Sequence, residues 1–391
     1  MKIPLYCACT PLFVCLLLPG GAAGQSRMFR TQPDFLLGLR SDRSASITLA
    51  DVDGDQDLDV IVANGRHWPQ ANEVFINNGA PADAAHIAAG GGYGRFTLAY
   101  TLGSELTTSY AVPAGDLDGD GDLDVVVGND RAQNLIYSND GTGRFSLTGY
   151  LAQEPDLTRD VQLADLNGDR WLDVIVANRR AQNVIYLNDG RGNFGSKKVF
   201  GASDDSTIKL ALGDVDEDGD LDIVLANRDG QANMICLNDG NAGFDDTRPF
   251  GTGSDESLAA AVADMDGDGH LDIVTANAGE PNAVYFGDGK GAFGERVAFG
   301  RPDGRTFSVA VADLDKDGDL DIVVGNVGMQ NAVFFNNGRG RSFTELRFGG
   351  EQALTYWLTT GDVNNDGFPD IAVANSDGLN GIYLNHPRQD E

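Results

Sequence analysis

One short pattern, Asp-x-[Asp/Asn]-x-Asp-x-x-x-Asp, returns seven times along this chain, starting at Asp51, Asp116, Asp165, Asp214, Asp264, Asp313 and Asp362. The intervals are 65, 49, 49, 50, 49 and 49 residues. A fixed period of this length marks a repeat architecture, in which each unit buries its apolar face against the next. An apolar alternating run leads into each copy, as in Ala259-Ala260-Ala261-Val262-Ala263, and a β-branched run follows, as in Leu271-Asp272-Ile273-Val274-Thr275. Thirteen residues after the first Asp stands an Asn in every copy: Asn64, Asn129, Asn178, Asn227, Asn277, Asn326 and Asn375. A third run ends in an Asn-Asp-Gly type turn, as at Asn188-Asp189-Gly190, and a Phe opens a fourth that often closes on Phe-Gly, as at Phe200-Gly201, Phe250-Gly251, Phe299-Gly300 and Phe348-Gly349.

Four short runs per repeat, with turn residues between them and no helical period, predict an all-β chain. Seven such units are the arithmetic of a β-propeller; an open solenoid is the alternative. The last copy stops after three runs at Gly381-Ile382-Tyr383-Leu384-Asn385, while the segment from Met28 to Gly38 is unassigned. Its Phe29 lies 22 residues before Asp51, much as Phe96, Phe145 and Phe194 lie 20 before theirs. The expectation is a seven-bladed β-propeller of four-stranded blades over residues 25–391, the N-terminal strand completing the last blade and removing exposed edges.

Composition narrows the function classes. The 391 residues carry 28 Lys+Arg against 59 Asp+Glu, a formal charge of −31, which argues against nucleic-acid binding because phosphate contact needs a basic surface. Hydrophobic residues at 41% suffice for a packed core. Gly supplies 51 residues, roughly twice the usual share, as many tight turns would require. The first 24 residues read as a secretory signal peptide: Lys2, an apolar stretch through Leu12–Leu18 too short to span a bilayer, then Gly21-Ala22-Ala23-Gly24. Cys7, Cys9 and Cys15 lie inside it, leaving Cys236 as a buried, unpaired thiol in the mature chain. The expectation is a secreted protein, or a periplasmic one in a Gram-negative bacterium, without a membrane span and monomeric.

The Asp-rich loops read as calcium sites. Calcium takes six to eight hard oxygens, and side chains at loop positions 1, 3 and 5 converge when the backbone winds around an ion. Here position 9 would close the shell, and Gly at position 6 permits the sharp turn. Five copies offer four carboxylates: Asp51, Asp53, Asp55 and Asp59; Asp116, Asp118, Asp120 and Asp124; Asp214, Asp216, Asp218 and Asp222; Asp264, Asp266, Asp268 and Asp272; Asp313, Asp315, Asp317 and Asp321. The third offers Asp165, Asn167, Asp169 and Asp173, the seventh Asp362, Asn364, Asp366 and Asp370. Gln56 and Arg170 replace the position-6 Gly in copies 1 and 3, and Pro369 precedes the last ligand in copy 7. Copy 3 is expected to bind most weakly. So many packed carboxylates repel one another without a cation, so up to seven Ca²⁺ are expected. An EF-hand is excluded, because Val62 holds position 12 of the first loop and strands flank it.

These residues also carry a resemblance. The run GDLDGDGDLDVVVGN at 115–129, the Phe-Gly pairs and the sevenfold spacing resemble the FG-GAP (VCBS-type) repeats of integrin α-subunit propellers and related secreted bacterial proteins. The resemblance spans about residues 28–385 and implies calcium in the loop between strands one and two of each blade. The family's Gly-Ala-Pro is mostly replaced by Ala-Asn or Gly-Asn, and an integrin-type receptor role is not expected to carry over.

A ligand is expected on the face opposite these loops. Seven residues before each first Asp stands a hydroxyl (Ser44, Ser109, Thr158, Thr207, Ser257, Thr306 and Thr355), which reads as a turn cap. The positions just after it vary and include Tyr110, Arg159, Asp160, Lys209, Phe307, Tyr356 and Trp357, a mixed aromatic and charged rim. The long first interval holds two insertions, one carrying Arg66, His67 and Trp68, of which His67 and Trp68 are ligand candidates, and one spanning Ala80–Gly94. His67, His86, His270 and His386 form no zinc-spaced pair, and no nucleophile elbow appears. The sequence therefore favours a non-catalytic binding or adhesion scaffold for an extracellular protein or glycan. The alternative is a carbohydrate-active enzyme (lyase or hydrolase) or lectin working through the central funnel.

Overall fold

The computed structural model describes residues 26–79 and 95–388; the expected leader and the Ala80–Gly94 insertion lie outside them. The described residues are strands joined by turns, with one 3₁₀ turn at Pro33–Phe35. Each repeat folds as an antiparallel meander. The fourth copy, for example, runs Thr207–Gly213, Asp222–Asn227, Asn233–Leu237 and Asp246–Phe250 in that order across its sheet. The β-branched second runs become second strands, and Asp59–Asn64, Asp173–Asn178, Asp222–Asn227, Asp272–Asn277 and Asp321–Asn326 are buried along their whole length. They read as continuous apolar runs because a sheet lies against each of their faces. Fourth strands such as Ser196–Phe200 face solvent and anchor only through the terminal Phe.

The N-terminal strand Arg27–Arg30 pairs with Asn380–Pro387, Phe29 opposite Asn385, so the first described residues complete the last sheet. The regularity breaks once. Asp124–Ala132 runs past Asn129 and pairs with Asp156–Ala164, which joins two neighbouring repeats into one nine-stranded sheet. First strands lie against one another in chain order, and Thr355–Gly361 lies in turn against Ser44–Ala50. The apolar core is divided among clusters that each draw on two adjacent sheets; one joins Ile47, Val60 and Val62 to Val363, Ala372 and Ile382.

The repeated hydroxyl is not a turn cap. Thr207 Oγ1 donates to Asn227 Oδ1 of its own sheet at 2.9 Å and accepts from Asn183 Nδ2 of the preceding sheet at 3.0 Å. Ser257, Thr306 and Thr355 repeat the arrangement, and Ser44 accepts from Asn380 Nδ2 at 2.8 Å. A second series of bonds ties neighbouring sheets at their other end. Asn139, Asn188, Asn238, Asn336 and Asn385 each donate through Nδ2 to a loop carbonyl of the preceding sheet, namely Val52, Leu117, Leu166, Met265 and Leu314. Asn77 does the same to Val363.

Candidate metal loops and the cavity at the opposite end

Each Asp loop bridges strands one and two at the end where Ala50 faces Asp59. The first Asp organises the turn: Asp51 Oδ1 accepts from the N–H groups of Gly54 and Asp55, and Oδ2 from Gln56. Position 6 sits in the left-handed region throughout. Gly121, Gly219, Gly269, Gly318 and Gly367 take it at φ of 88 to 100°, while Gln56 and Arg170 are held there at 72 and 77°. A non-Gly residue pays roughly 1–2 kcal/mol for that conformation, so the turn survives substitution at a cost.

Five loops bring three carboxylates together, each able to offer an oxygen within 4.8 Å of the others: Asp51, Asp53, Asp59; Asp116, Asp118, Asp124; Asp214, Asp216, Asp218; Asp264, Asp266, Asp272; and Asp313, Asp315, Asp321. The donor set fits a hard cation. Asp53 Oδ1, Asp216 Oδ1, Asp313 Oδ1 and Asp315 Oδ1 are buried without a hydrogen-bond donor, an arrangement that costs free energy unless something positive faces them. Burial first, then repulsion from Asp317, pushes Asp315 up to about 6. Asp53, Asp118 and Asp216 move upward for the same two reasons.

Copies 3 and 7 behave differently. Asn167 Nδ2 donates to Asp169 Oδ2 at 3.0 Å and Asn364 Nδ2 to Asp366 Oδ2 at 3.2 Å, so an amide N–H occupies part of the role a cation would take. In copy 5, Arg341 of the next repeat reaches Asp266 Oδ2 at 2.8 Å.

The position-9 Asp has a duty that spacing did not reveal. Asp59 Oδ2 accepts from Val52 N at 2.9 Å and Oδ1 from Asn77 N at 2.8 Å, tying loop, second strand and third strand together. Asp124, Asp173, Asp222, Asp272, Asp321 and Asp370 repeat both bonds. Burial pushes Asp59, Asp321 and Asp370 up to about 7 and Asp124, Asp173, Asp222 and Asp272 up to about 6. These carboxylates hold the fold as well as facing the loop.

At the opposite end of the same hairpins, where Ser44 faces Asn64, lies a cavity of about 260 Å³. Six strand steps separate the two ends, roughly 20 Å. The structure brings His67, Tyr110, Arg159, Lys209, Phe307 and Tyr356 together in its wall, although they come from six different repeats or insertions. Trp68 stands outside, 62% exposed, with the Arg43 guanidinium 5.4 Å from its ring. Trp357 lines a second cavity of about 230 Å³ below the first, and Lys209 Nζ sits 2.8 Å from its ring centroid. Lys209 also pairs with the buried Asp160 at 3.0 Å, so these three side chains form a plug between the cavities. Reasoning from the hydroxyl positions missed Arg66, Arg179 and Arg228, which also line the upper cavity. Arg179 and Arg228 directly follow Asn178 and Asn227, so aligning the residue after the repeated Asn would have found them. His67 Nδ1 lies 3.3 Å from the Tyr110 hydroxyl, and its pKa is lowered by burial and then by Arg66 and Arg159.

Among the described residues, no helix is long and apolar enough to cross a membrane. No curated protein matches the chain. Solved structures that share the fold include BBS1N in complex with ARL6DN, soaked with lead, at TM-score 0.56, 9% identity and coverage of 90% of this chain and 97% of that one, and the same complex soaked with mercury, at TM-score 0.56, 11% identity and coverage of 91% and 97%. The FG-GAP-like repeat model matches six times in overlapping spans, at residues 51–127, 116–176, 165–225, 214–275, 264–324 and 313–373. With most of its length accounted for by these repeats, the chain belongs to the FG-GAP-like repeat family, whose integrin-like β-propeller character the structural neighbours share.

Proposed function

We infer that this protein is a secreted, calcium-stiffened, seven-bladed β-propeller that works as a binding scaffold and takes its ligand at the cavity end, away from the metal loops. The observation that carries the metal part is the set of buried carboxylate oxygens without donors at Asp53, Asp216, Asp313 and Asp315. Calcium would be held by positions 1 and 3, joined by position 9 in copies 1, 2, 5 and 6 and by position 5 in copy 4, and would supply charge neutralisation that stiffens the loop. Copies 1, 2, 4 and 6 are the strongest sites, copy 5 is weakened by Arg341, and copies 3 and 7 are weakest because their Asn amides already satisfy an Asp.

Ring closure is supported by three contacts between the ends of the chain. Arg27–Arg30 pairs with Asn380–Pro387, Asn380 bonds Ser44, and the cluster around Ile47 and Val363 packs the first repeat on the last. Lys209 and Trp357, from the fourth and seventh repeats, meet at the centre. Secretion is supported by the leader-like first 24 residues; with Cys236 buried and unpaired, rigidity is left to the ions rather than to disulfides. The ligand is an extracellular protein or glycan, bound by a monomer.

Calorimetric titration of Ca²⁺ into chelator-stripped protein tests the metal part: several sites near ~10⁻⁴ to 10⁻³ M are expected, and an absence of binding heat at millimolar calcium rejects it. A second, catalytic reading is favoured by His67 beside the Tyr110 hydroxyl with Arg159 4.4 Å over the Tyr110 ring, a base, an acid and a cation in one cavity. Turnover of acidic polysaccharides, abolished in Arg159→Ala or Tyr356→Phe, would move the assignment from scaffold to enzyme.

A further inference from the structure

The upper cavity is cationic in an acidic protein. Of the 28 Lys and Arg residues, Arg66, Arg159, Arg179, Lys209 and Arg228 converge on one wall that contains no Asp or Glu. Acidic partners stand behind it, but they are too few. Asp160 serves Lys209 and Asp130 serves Arg159 at 2.9 Å. Asp229 alone faces Arg179 at 3.0 Å, Arg180 at 3.1 Å and Arg228 at 3.4 Å, with Glu256 3.8 Å from Arg228. Arg66 has no carboxylate within ion-pairing distance among the described residues; Asp377, paired with Arg43, attracts it only from farther off, and its guanidinium lies 3.5 Å from the Tyr356 ring centroid. Arg228 Nε is buried without a hydrogen-bond acceptor. Like charges held together in a partly desolvated pocket repel, and an anion shared among them relieves that repulsion.

The surroundings narrow the anion further. Guanidinium forks match the two oxygens of a carboxylate or phosphate, which a spherical ion does not exploit. Tyr110 and Tyr356 each have one face stacked by an arginine, and Phe307 packs edge-on against Tyr356 at 4.7 Å between centroids, leaving an aromatic wall beside the cations. Aromatic surface next to a charged fork suits a ring-bearing ligand rather than a bare ion. A cavity of about 260 Å³ admits a single sugar-sized group, not a helix or a loop.

Resting on the reading that the ligand enters at this end, we propose that the cavity binds the oxyanion of an acidic saccharide, with Arg66 as the principal carboxylate- or phosphate-binding residue and Arg179 and Arg228 beside it. The chain as a whole carries −31, so it repels acidic chains away from this mouth, and the strength of capture falls with salt.

Calorimetry on the calcium-loaded protein with D-glucuronate, D-glucose 6-phosphate, D-glucose, acetate and inorganic phosphate tests the proposal. The expected result is one site for glucuronate or glucose 6-phosphate, at least about tenfold tighter than for glucose, and tighter than for acetate or phosphate respectively. Arg66→Met should weaken it about ten- to hundredfold. Since the carboxylate that attracts Arg66 from farther off, Asp377, keeps its ion pair with Arg43, that variant keeps its fold, and an unchanged melt verifies this. Equal binding of glucose and glucuronate overturns the proposal while leaving the ligand end intact. Acetate or phosphate binding as tightly as the acidic sugars overturns the saccharide part. Acidic-sugar binding unaffected by Arg66→Met overturns the assignment of the site. No binding by any of the five probes removes the proposal, whereas loss of the calcium sites would show separately in the metal titration.

Discussion

Thr207→Val is the sharpest probe of how the sheets are joined. The exchange keeps volume and branching and deletes one hydroxyl. Thr207 is fully buried, and its hydroxyl sits between Asn183 Nδ2 at 3.0 Å and Asn227 Oδ1 at 2.9 Å. Both amides are themselves buried, so the substitution leaves one donor and one acceptor without partner or water. Each such group costs about 1–3 kcal/mol, which gives about 2–6 kcal/mol in all. Over 391 residues an unfolding entropy of ~2.1 cal/mol/K per residue comes to about 0.8 kcal/mol/K, so the melting midpoint should fall by about 2–7 °C. Thermal melts followed by circular dichroism would read this, with Thr207→Ser as a control that restores the hydroxyl and most of the midpoint. A valine variant melting within a degree of the parent would refute the claim that these hydroxyls clasp neighbouring sheets.

Two substitutions in the fourth loop separate metal ligation from structure. Asp216→Ala should lower the midpoint in calcium but leave it equal or raised in chelator, because it removes a ligand and also a repulsive neighbour of Asp218; Asp222→Ala should lower it in both, since Asp222 holds Val215 N and Asn238 N without any ion. Burial lowers Lys209 to about 8, with Asp160 opposing. Between about pH 8 and its unfolded pKa near ~10.4 the unfolded chain therefore holds the proton that the folded chain has released, so stability should rise with pH there relative to Lys209→Met, and parallel melting curves for the two proteins would contradict this. Burial likewise pushes the Cys236 thiol up to about 12, so iodoacetamide should label it only on unfolding; rapid labelling of the native protein would place it elsewhere.

Much of this architecture could be read from the chain because its determinants are local and repeated. Period-two runs between Asp loops and Asn-Gly turns define strands wherever they occur, and Phe29 announced the strand that pairs with Asn380–Pro387. What resisted reading depends on neighbours in space. Thr207 looked like a turn cap, because its second partner, Asn183, belongs to the previous repeat. Asp222 looked like a ligand only, because Asn238 N lies 16 residues on. The cationic cavity was half legible: Arg159 and Lys209 stood at the expected rim positions, whereas Arg66, Arg179 and Arg228 arrive from the loops after second strands. Trp68, attractive in sequence, is not part of that cavity's lining and remains exposed.

The central claim is that divalent ions neutralise the Asp loops and stiffen the sheets. Its most direct measurement is the melting midpoint of one preparation in ~2 mM calcium and then in excess EGTA. Five sites of ~10⁻⁴ to 10⁻³ M affinity contribute about 3–9 kcal/mol by mass action, or about 4–11 °C for a chain of this size. A fall of that order, reversed by restoring calcium, is the predicted result; superimposable melts with and without calcium would contradict the account.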